Sequence, residues 1–318
     1  MIDPRTYSAG LPVSAPTPVV SFNPVTIPVP GRPIALQLKV SAPATGDALP
    51  VVVLSHGHGS SNFLASKYGY GPIVEFLAAH GFVVIQPTHL SSKMLALSPS
   101  ADAPLFWKSR GEDIRHIIDH LGDIEATVPG LAGRIDHSRI AAVGHSLGGH
   151  TVGLVSGMTT TTPDGSVVNL LDERITARVM IAAPGRGDDL AAAALERMPA
   201  LGTVNFDTMT PPVLVIVGGK DHSPFFSERS DWRSDAYLAS PGPKTLLTVT
   251  GAEHLFGGIS GFDADETTDE NPERVALLRT VIWAYLRSSL YPQDLAWEQV
   301  VRAVQDSATP FAHVHSKK

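Results

Sequence analysis

The chain has 318 residues, 43% of them hydrophobic, enough to bury one large α/β core. Its formal net charge of −7, with no basic cluster, excludes electrostatic binding to nucleic acid or to an anionic membrane. No apolar run approaches the ~20 residues of a membrane span. The lack of cysteine removes disulfides and fits a reducing compartment.

In chain order, residues 1–24 form a proline-rich extension whose start, Met1-Ile2-Asp3-Pro4-Arg5, lacks the pattern of a secretory signal, so a cytoplasmic location is expected. Residues 25–29 and 34–40 read as antiparallel strands around a Gly31-Arg32-Pro33 turn. The apolar run 51–54 reads as a buried strand that ends in Ser55-His56-Gly57-His58-Gly59. A helix over 73–80 and a strand over 82–86 follow. The segment 88–108 carries Met94, Leu95, Leu97, Leu105, Phe106 and Trp107 after a strand end, so it is expected to hang over a site. Between 110 and 121, Ile114, Ile117, Ile118 and Leu121 fall at helical spacing. His116 and His120 on that helix read as a solvated face, because the H-E-x-x-H context of a metal pair is missing.

The strand 138–143 runs into Gly144-His145-Ser146-Leu147-Gly148-Gly149, and a helix starts directly after. Gly-x-Ser-x-Gly between strand and helix is a nucleophile elbow, in which the glycines make room for a sharp turn. Further on, the run 212–217 ends in Gly218-Gly219-Lys220-Asp221, and the strand 244–250 ends in Gly251-Ala252-Glu253-His254. Parallel strands deliver their carboxyl ends to one sheet edge, so Ser146, Asp221 and His254 are expected to meet there. The chemistry needs these types: imidazole takes the serine proton during attack and returns it to the leaving group, and the carboxylate fixes the imidazole tautomer. Asp207 and Asp235 are alternative acids, but neither ends a strand. Backbone N–H groups of Leu147 and His58 are the expected oxyanion donors. His56 and His58 at alternate positions have no third ligand nearby, so His56 is read as packing behind the loop and His58 as lining the pocket. Gly57, Gly59, His145, Trp107 and Phe225 are candidate pocket residues. The segment 223–243, with Phe225, Phe226, Trp232 and Tyr237, is the second candidate cover. The acidic tract 262–270 reads as a solvated loop before a helix over 272–290, and 308–318 as a frayed tail.

The motifs at 54–59, 79–84, 131–136, 144–149 and 254–258 together resemble the α/β-hydrolase superfamily. Within it, they resemble the bacterial branch labelled predicted dienelactone hydrolases or chlorophyllase-like proteins, related to plasma-type platelet-activating-factor acetylhydrolase. The resemblance implies an α/β-hydrolase fold, a mostly parallel central sheet with helices on both faces, in one domain over 25–307. It also implies ester hydrolysis by Ser146, Asp221 and His254. True dienelactone hydrolases use a cysteine nucleophile, which this chain lacks, so that label does not carry over as an activity. The expected function is hydrolysis of small to medium carboxylic esters through an acyl-enzyme, with no cofactor or metal, as monomer or homodimer. Acyl transfer, amide or lactone hydrolysis and polyester hydrolysis are alternatives on the same triad; a non-catalytic binding module is the remaining one.

Overall fold

The computed structural model describes residues 13–97, 103–261, 264–306 and 311–318. The first part of the proline-rich extension, the middle of the 88–108 segment, the start of the acidic tract and the first residues of the tail lie outside the described residues.

Strands β1 (Val19–Ile27) and β2 (Leu36–Pro43) open the chain as an antiparallel pair. Strand β1 begins earlier than residues 25–29 suggested. Its register shifts between Phe22 and Val25, at Pro24, which has no N–H to give to the ladder. There follow β3 (Leu49–Ser55), α1 (Gly71–Ala79), β4 (Val83–Pro87), α2 (Trp107–Asp119), α3 (Leu121–Thr127), β5 (Ile135–His145) and α4 (Leu147–Leu154). A separate hairpin, β6 (Thr159–Thr161) and β7 (Val167–Asn169), precedes β8 (Ile175–Ile181) and α5 (Ala192–Arg197). The chain ends with β9 (Val213–Gly218), α6 (Asp235–Leu238), β10 (Lys244–Val249), α7 (Pro272–Leu290), α8 (Ala296–Gln305) and β11 (Ala312–Lys317).

Nine strands form the main sheet in the order β1-β2-β4-β3-β5-β8-β9-β10-β11. The six from β4 to β10 run parallel, and antiparallel strands close both edges. The central strands read as unbroken apolar runs because both faces are covered: all seven residues of β3 and all five of β4 are buried. Helices α2, α3 and α4 pack a core on one face, and α1, α7 and α8 pack the other. Helix α7 starts as Asn271-Pro272 predicts: the Asn271 side chain accepts the Arg274 N–H at 2.9 Å, and proline stands where no N–H is needed.

The tail corrects its expectation. Residues 312–317 are not frayed but pair with β10 along its whole length, from Lys244↔Lys317 to Val249↔Ala312. Strand β10 otherwise has an open edge of unpaired N–H and C=O groups, and β11 satisfies them. Ala312 is fully buried and Val314 packs on the second core, a period-two signal hidden between the polar His313, His315 and Ser316. No described helix is long and apolar enough to cross a membrane. All six parallel strands end at one edge, and the chain leaves them there into the loops that build the site.

Candidate active site

Ser146 stands between β5 and α4 with φ 55 and ψ −120, a backbone that a side chain rarely adopts. Its neighbours must be small. A Cβ on Gly144 would lie 2.1 Å from the Gly148 carbonyl oxygen, and one on Gly148 would lie 2.0 Å from the Ser55 carbonyl oxygen. The turn is pinned by the Ser146 N–H, which donates to Ile181 O at the end of β8 at 2.8 Å. Leu147 is the first residue of α4, so its N–H has no acceptor within the helix.

The strand ends bring Ser146, Asp221 and His254 together. The His254 Nδ1–H donates to Asp221 Oδ2 at 2.8 Å, since an ionised carboxylate only accepts. That tautomer turns the Nε2 lone pair toward Ser146 Oγ, 3.1 Å away. Asp221 is buried, and its other oxygen meets Arg233 Nε at 2.9 Å. Burial by itself would raise the Asp221 carboxyl, but the His254 hydrogen bond and the Arg233 cation hold it below the usual range. The His254 ring is a third exposed, and partial burial and Arg233 push its imidazole below the ordinary value. Arg233 is itself held by Ala182 O at 2.9 Å, with its guanidinium near the Phe226 and Trp232 rings. Asp235 is engaged elsewhere: it accepts the Arg186 N–H and pairs with Arg229. Asp207 sits in a turn beside Asn205.

The loop after β3 is anchored from behind. His56 is buried, with Nδ1–H donating to Gly57 O at 2.7 Å and Nε2 accepting the His89 N–H at 3.1 Å. Arg110, fully buried, donates to Thr151 Oγ1 at 2.9 Å, Ser91 Oγ at 2.6 Å, Ser55 Oγ at 3.2 Å and, in a very short contact, His56 O. Burial lowers its guanidinium to about 9, with Asp113 opposing, so it stays charged at neutral pH. Asp113 binds Arg32 at 3.0 Å and His89 Nδ1 at 2.8 Å, and His89 Nε2 meets Ser55 Oγ at 2.9 Å. Burial, with Arg110 and Lys93, pushes the His58 imidazole down to about 4, so its ring is neutral.

Other pocket candidates fall differently. His145 does not line a pocket: its ring is buried behind His254, with Nδ1 2.9 Å from Tyr70 Oη and Nε2 2.9 Å from His254 O. As the last residue of β5, His145 shares a sheet face with Ala141 and Val143, which pack the core under α1 and α7. Trp107 opens α2 and is buried in the core, where its size is used for packing. Phe225 is half-buried at the edge of Phe226, with the Arg197 guanidinium 5.4 Å from its ring centre. A Cβ on Gly57 would press on Tyr70 Oη at 3.0 Å and one on Gly59 on Leu64 at 2.4 Å, so both glycines permit close packing. The acidic tract is also more than a solvated loop. Glu266 accepts both the N–H and the hydroxyl of Ser61, and Asp269 accepts the N–H groups of Glu253 and Gly257. Loop donors at a sheet edge need acceptors, and these carboxylates supply them.

Sequence reasoning missed Tyr70, His89, Arg110, Asp113 and Arg233. Arg110 carried a signal, since it occupies an apolar-stripe position with Ile114, Ile117 and Leu121. A charge there must be paired inside.

No family model matches the chain. An aligned stretch covering 34% of this chain and 32% of that protein is 26% identical to platelet-activating factor acetylhydrolase from Cavia porcellus. The chain thus spans about a third of the length of this curated relative. The similarity supports a distant relationship to a hydrolase, in keeping with the mostly parallel α/β architecture.

Proposed function

We propose that this protein is a serine hydrolase that cleaves carboxylic esters of small to medium molecules through an acyl-enzyme on Ser146. The observation that carries the reading is the unbroken line from Asp221 Oδ2 through the His254 ring to Ser146 Oγ, at 2.8 and 3.1 Å, with the serine on a strained strand-to-helix turn. His254 is neutral near pH 7 and so is able to act as a base.

In the first half-reaction Ser146 Oγ bonds to the ester carbonyl carbon and its proton passes to His254 Nε2. The imidazolium is stabilised by Asp221. The C–O bond to the alcohol breaks, and the alcohol leaves with that proton. Water then attacks the acyl carbon, gives a proton to the same nitrogen, and the acid departs as Oγ regains it. The N–H groups of Leu147 and His58 are the oxyanion donors in this reading, at roughly 2.7–4 kcal/mol of transition-state stabilisation for one such donor. The relative from Cavia porcellus is named an acetylhydrolase, which supports hydrolysis of an acyl group as the reaction class.

The test is stopped-flow hydrolysis of p-nitrophenyl esters of increasing acyl length by wild type and Ser146→Ala. Turnover lost in the variant is expected, with a burst when deacylation is slow, and the length profile sizes the acyl pocket. Equal activity in both proteins refutes the mechanism. An added alcohol or amine that captures the acyl group faster than water does would redirect the reading to acyl transfer.

A further inference from the structure

We infer that Tyr70 and His145 form a positioning relay that locks the loop carrying the oxyanion donor to the main chain of His254, so that the base and the oxyanion site move as one unit. This rests on the hydrolase reading above. Neither residue touches the reacting atoms; they act through Gly57 and His254.

The direction of each hydrogen bond follows from its partners. The His254 carbonyl only accepts, so His145 Nε2 carries the hydrogen and donates across 2.9 Å. Burial pushes the His145 imidazole down to about 3, so the ring is neutral and Nδ1 presents a lone pair. Tyr70 Oη therefore donates to Nδ1 across 2.9 Å. Its remaining lone pairs accept the Gly57 N–H at 3.0 Å. The chain of bonds thus runs from Gly57, next to His58, through one phenol and one imidazole to the backbone of His254. Every member is buried apart from the His254 end.

The backbone of Tyr70 is held to the segment after His254 and to the start of α1. Its φ of 63 is left-handed, an unfavourable conformation for an aromatic residue. Its N–H donates to Ser260 O at 2.7 Å, six residues beyond His254, and its C=O accepts the Ile73 and Val74 N–H groups at the start of α1. A strained residue kept in place by contacts to both loops fits positioning better than packing, for which an unstrained Phe or Leu would serve. The close approach also explains Gly57, where a Cβ would meet the phenol oxygen at 3.0 Å.

Three variants separate the ends. Tyr70→Phe keeps the ring and removes the hydroxyl's bonds to Gly57 and His145, together with its longer 3.4 Å contact to Leu64 O. His145→Gln keeps a donor near the Nε2 position for His254 O and loses the acceptor for Tyr70. His145→Asn keeps an acceptor near Nδ1 and loses the donor to His254. Each is read on folded protein by hydrogen exchange at the Gly57 amide and by kcat and KM on a short p-nitrophenyl ester. The expected result is faster Gly57 exchange in Tyr70→Phe and His145→Gln. Each should lose kcat by about 10- to 100-fold, the scale of an ångström-level misplacement, with KM changing far less. The double variant Tyr70→Phe/His145→Gln should lose no more than the worse single one, because both cut the same line. His145→Asn should lower kcat with Gly57 still protected. Unchanged Gly57 exchange, unchanged kcat, or independent multiplying losses in the double variant would overturn the relay. If wild type cleaves no ester, the hydrolase reading fails and the exchange data alone decide whether the tether exists.

Discussion

Arg110→Met is the sharpest test of how the loop after β3 is held. Methionine keeps most of the aliphatic stem, so the cavity is small and the loss is polar. Ser55 Oγ retains His89 Nε2, and Thr151 Oγ1 retains its bond to Leu147 O at 2.9 Å. Ser91 Oγ and His56 O lose their Arg110 partner, and both residues are buried. An acceptor or hydroxyl left unpaired in the interior costs about 1–3 kcal/mol. Two of them give a loss near ~4 kcal/mol, in the range for breaking one side of a buried polar network. With an unfolding entropy of roughly 2.1 cal/mol/K per residue, a chain of 318 residues should then melt about 6 °C lower. Urea denaturation reads the loss directly as a change in midpoint at constant slope. Because His56 O belongs to the loop that leads to His58, kcat should also fall in protein that is still folded. A variant within about 1 kcal/mol of wild type, with full kcat, would show that the arginine neither holds the loop nor is needed where it lies.

Asp221→Asn should leave the fold intact and lower kcat by roughly 10⁴-fold, because an amide no longer fixes the His254 tautomer; steady-state kinetics with circular dichroism checks both halves. Arg233→Met removes the cation that disfavours the imidazolium, with Asp221 and His145 the other titratable groups against His254. The proposed mechanism needs neutral His254, so the acidic limb of the kcat/KM profile should move to higher pH; a limb that stays or moves down would contradict the assignment. Gly148→Ala drives a methyl group to 2.0 Å from Ser55 O, so α4 must shift away from the end of β3. It should lower the rate of Ser146 labelling by a fluorophosphonate by about 100-fold, the scale of a misplacement of about 1 Å.

Strand ends made the candidate site readable. Ser146, Asp221 and His254 each follow a run whose β-branched, apolar composition marks a buried parallel strand, and parallel strands share one edge. The residues behind the site carried no such marker. Tyr70 and His89 lie in loops whose course depends on packing against distant segments, and Arg233 reaches Asp221 from a short turn with no periodicity. His145 was expected to line the pocket, yet its ring is buried and both its nitrogens are taken up by Tyr70 and His254. The tail was misread for a related reason. Its alternating residues have weak apolar character, and only the open edge of β10 gives them a partner.

The histidines show what distinguishes the proposed reactive Asp-His-Ser line from a structural one. Asp113, His89 and Ser55 repeat the order of Asp221, His254 and Ser146, with contacts of 2.8 and 2.9 Å. Burial holds His89 neutral, as it lowers His254, so protonation state does not separate them. Surroundings do. Ser55 is fully buried at the end of β3, out of reach of solvent, and its oxygen accepts from the Arg110 guanidinium, which makes it less nucleophilic. Ser146 is partly exposed, on a left-handed turn, with the first N–H groups of α4 beside it. His56 spends both ring nitrogens on backbone groups and His145 spends its two on Tyr70 and His254, whereas His254 keeps Nε2 for the hydroxyl of the partly exposed Ser146. Three buried histidines fix the frame, and the fourth, held by Asp221 on one side only, is the one to which the proposed reaction assigns the proton.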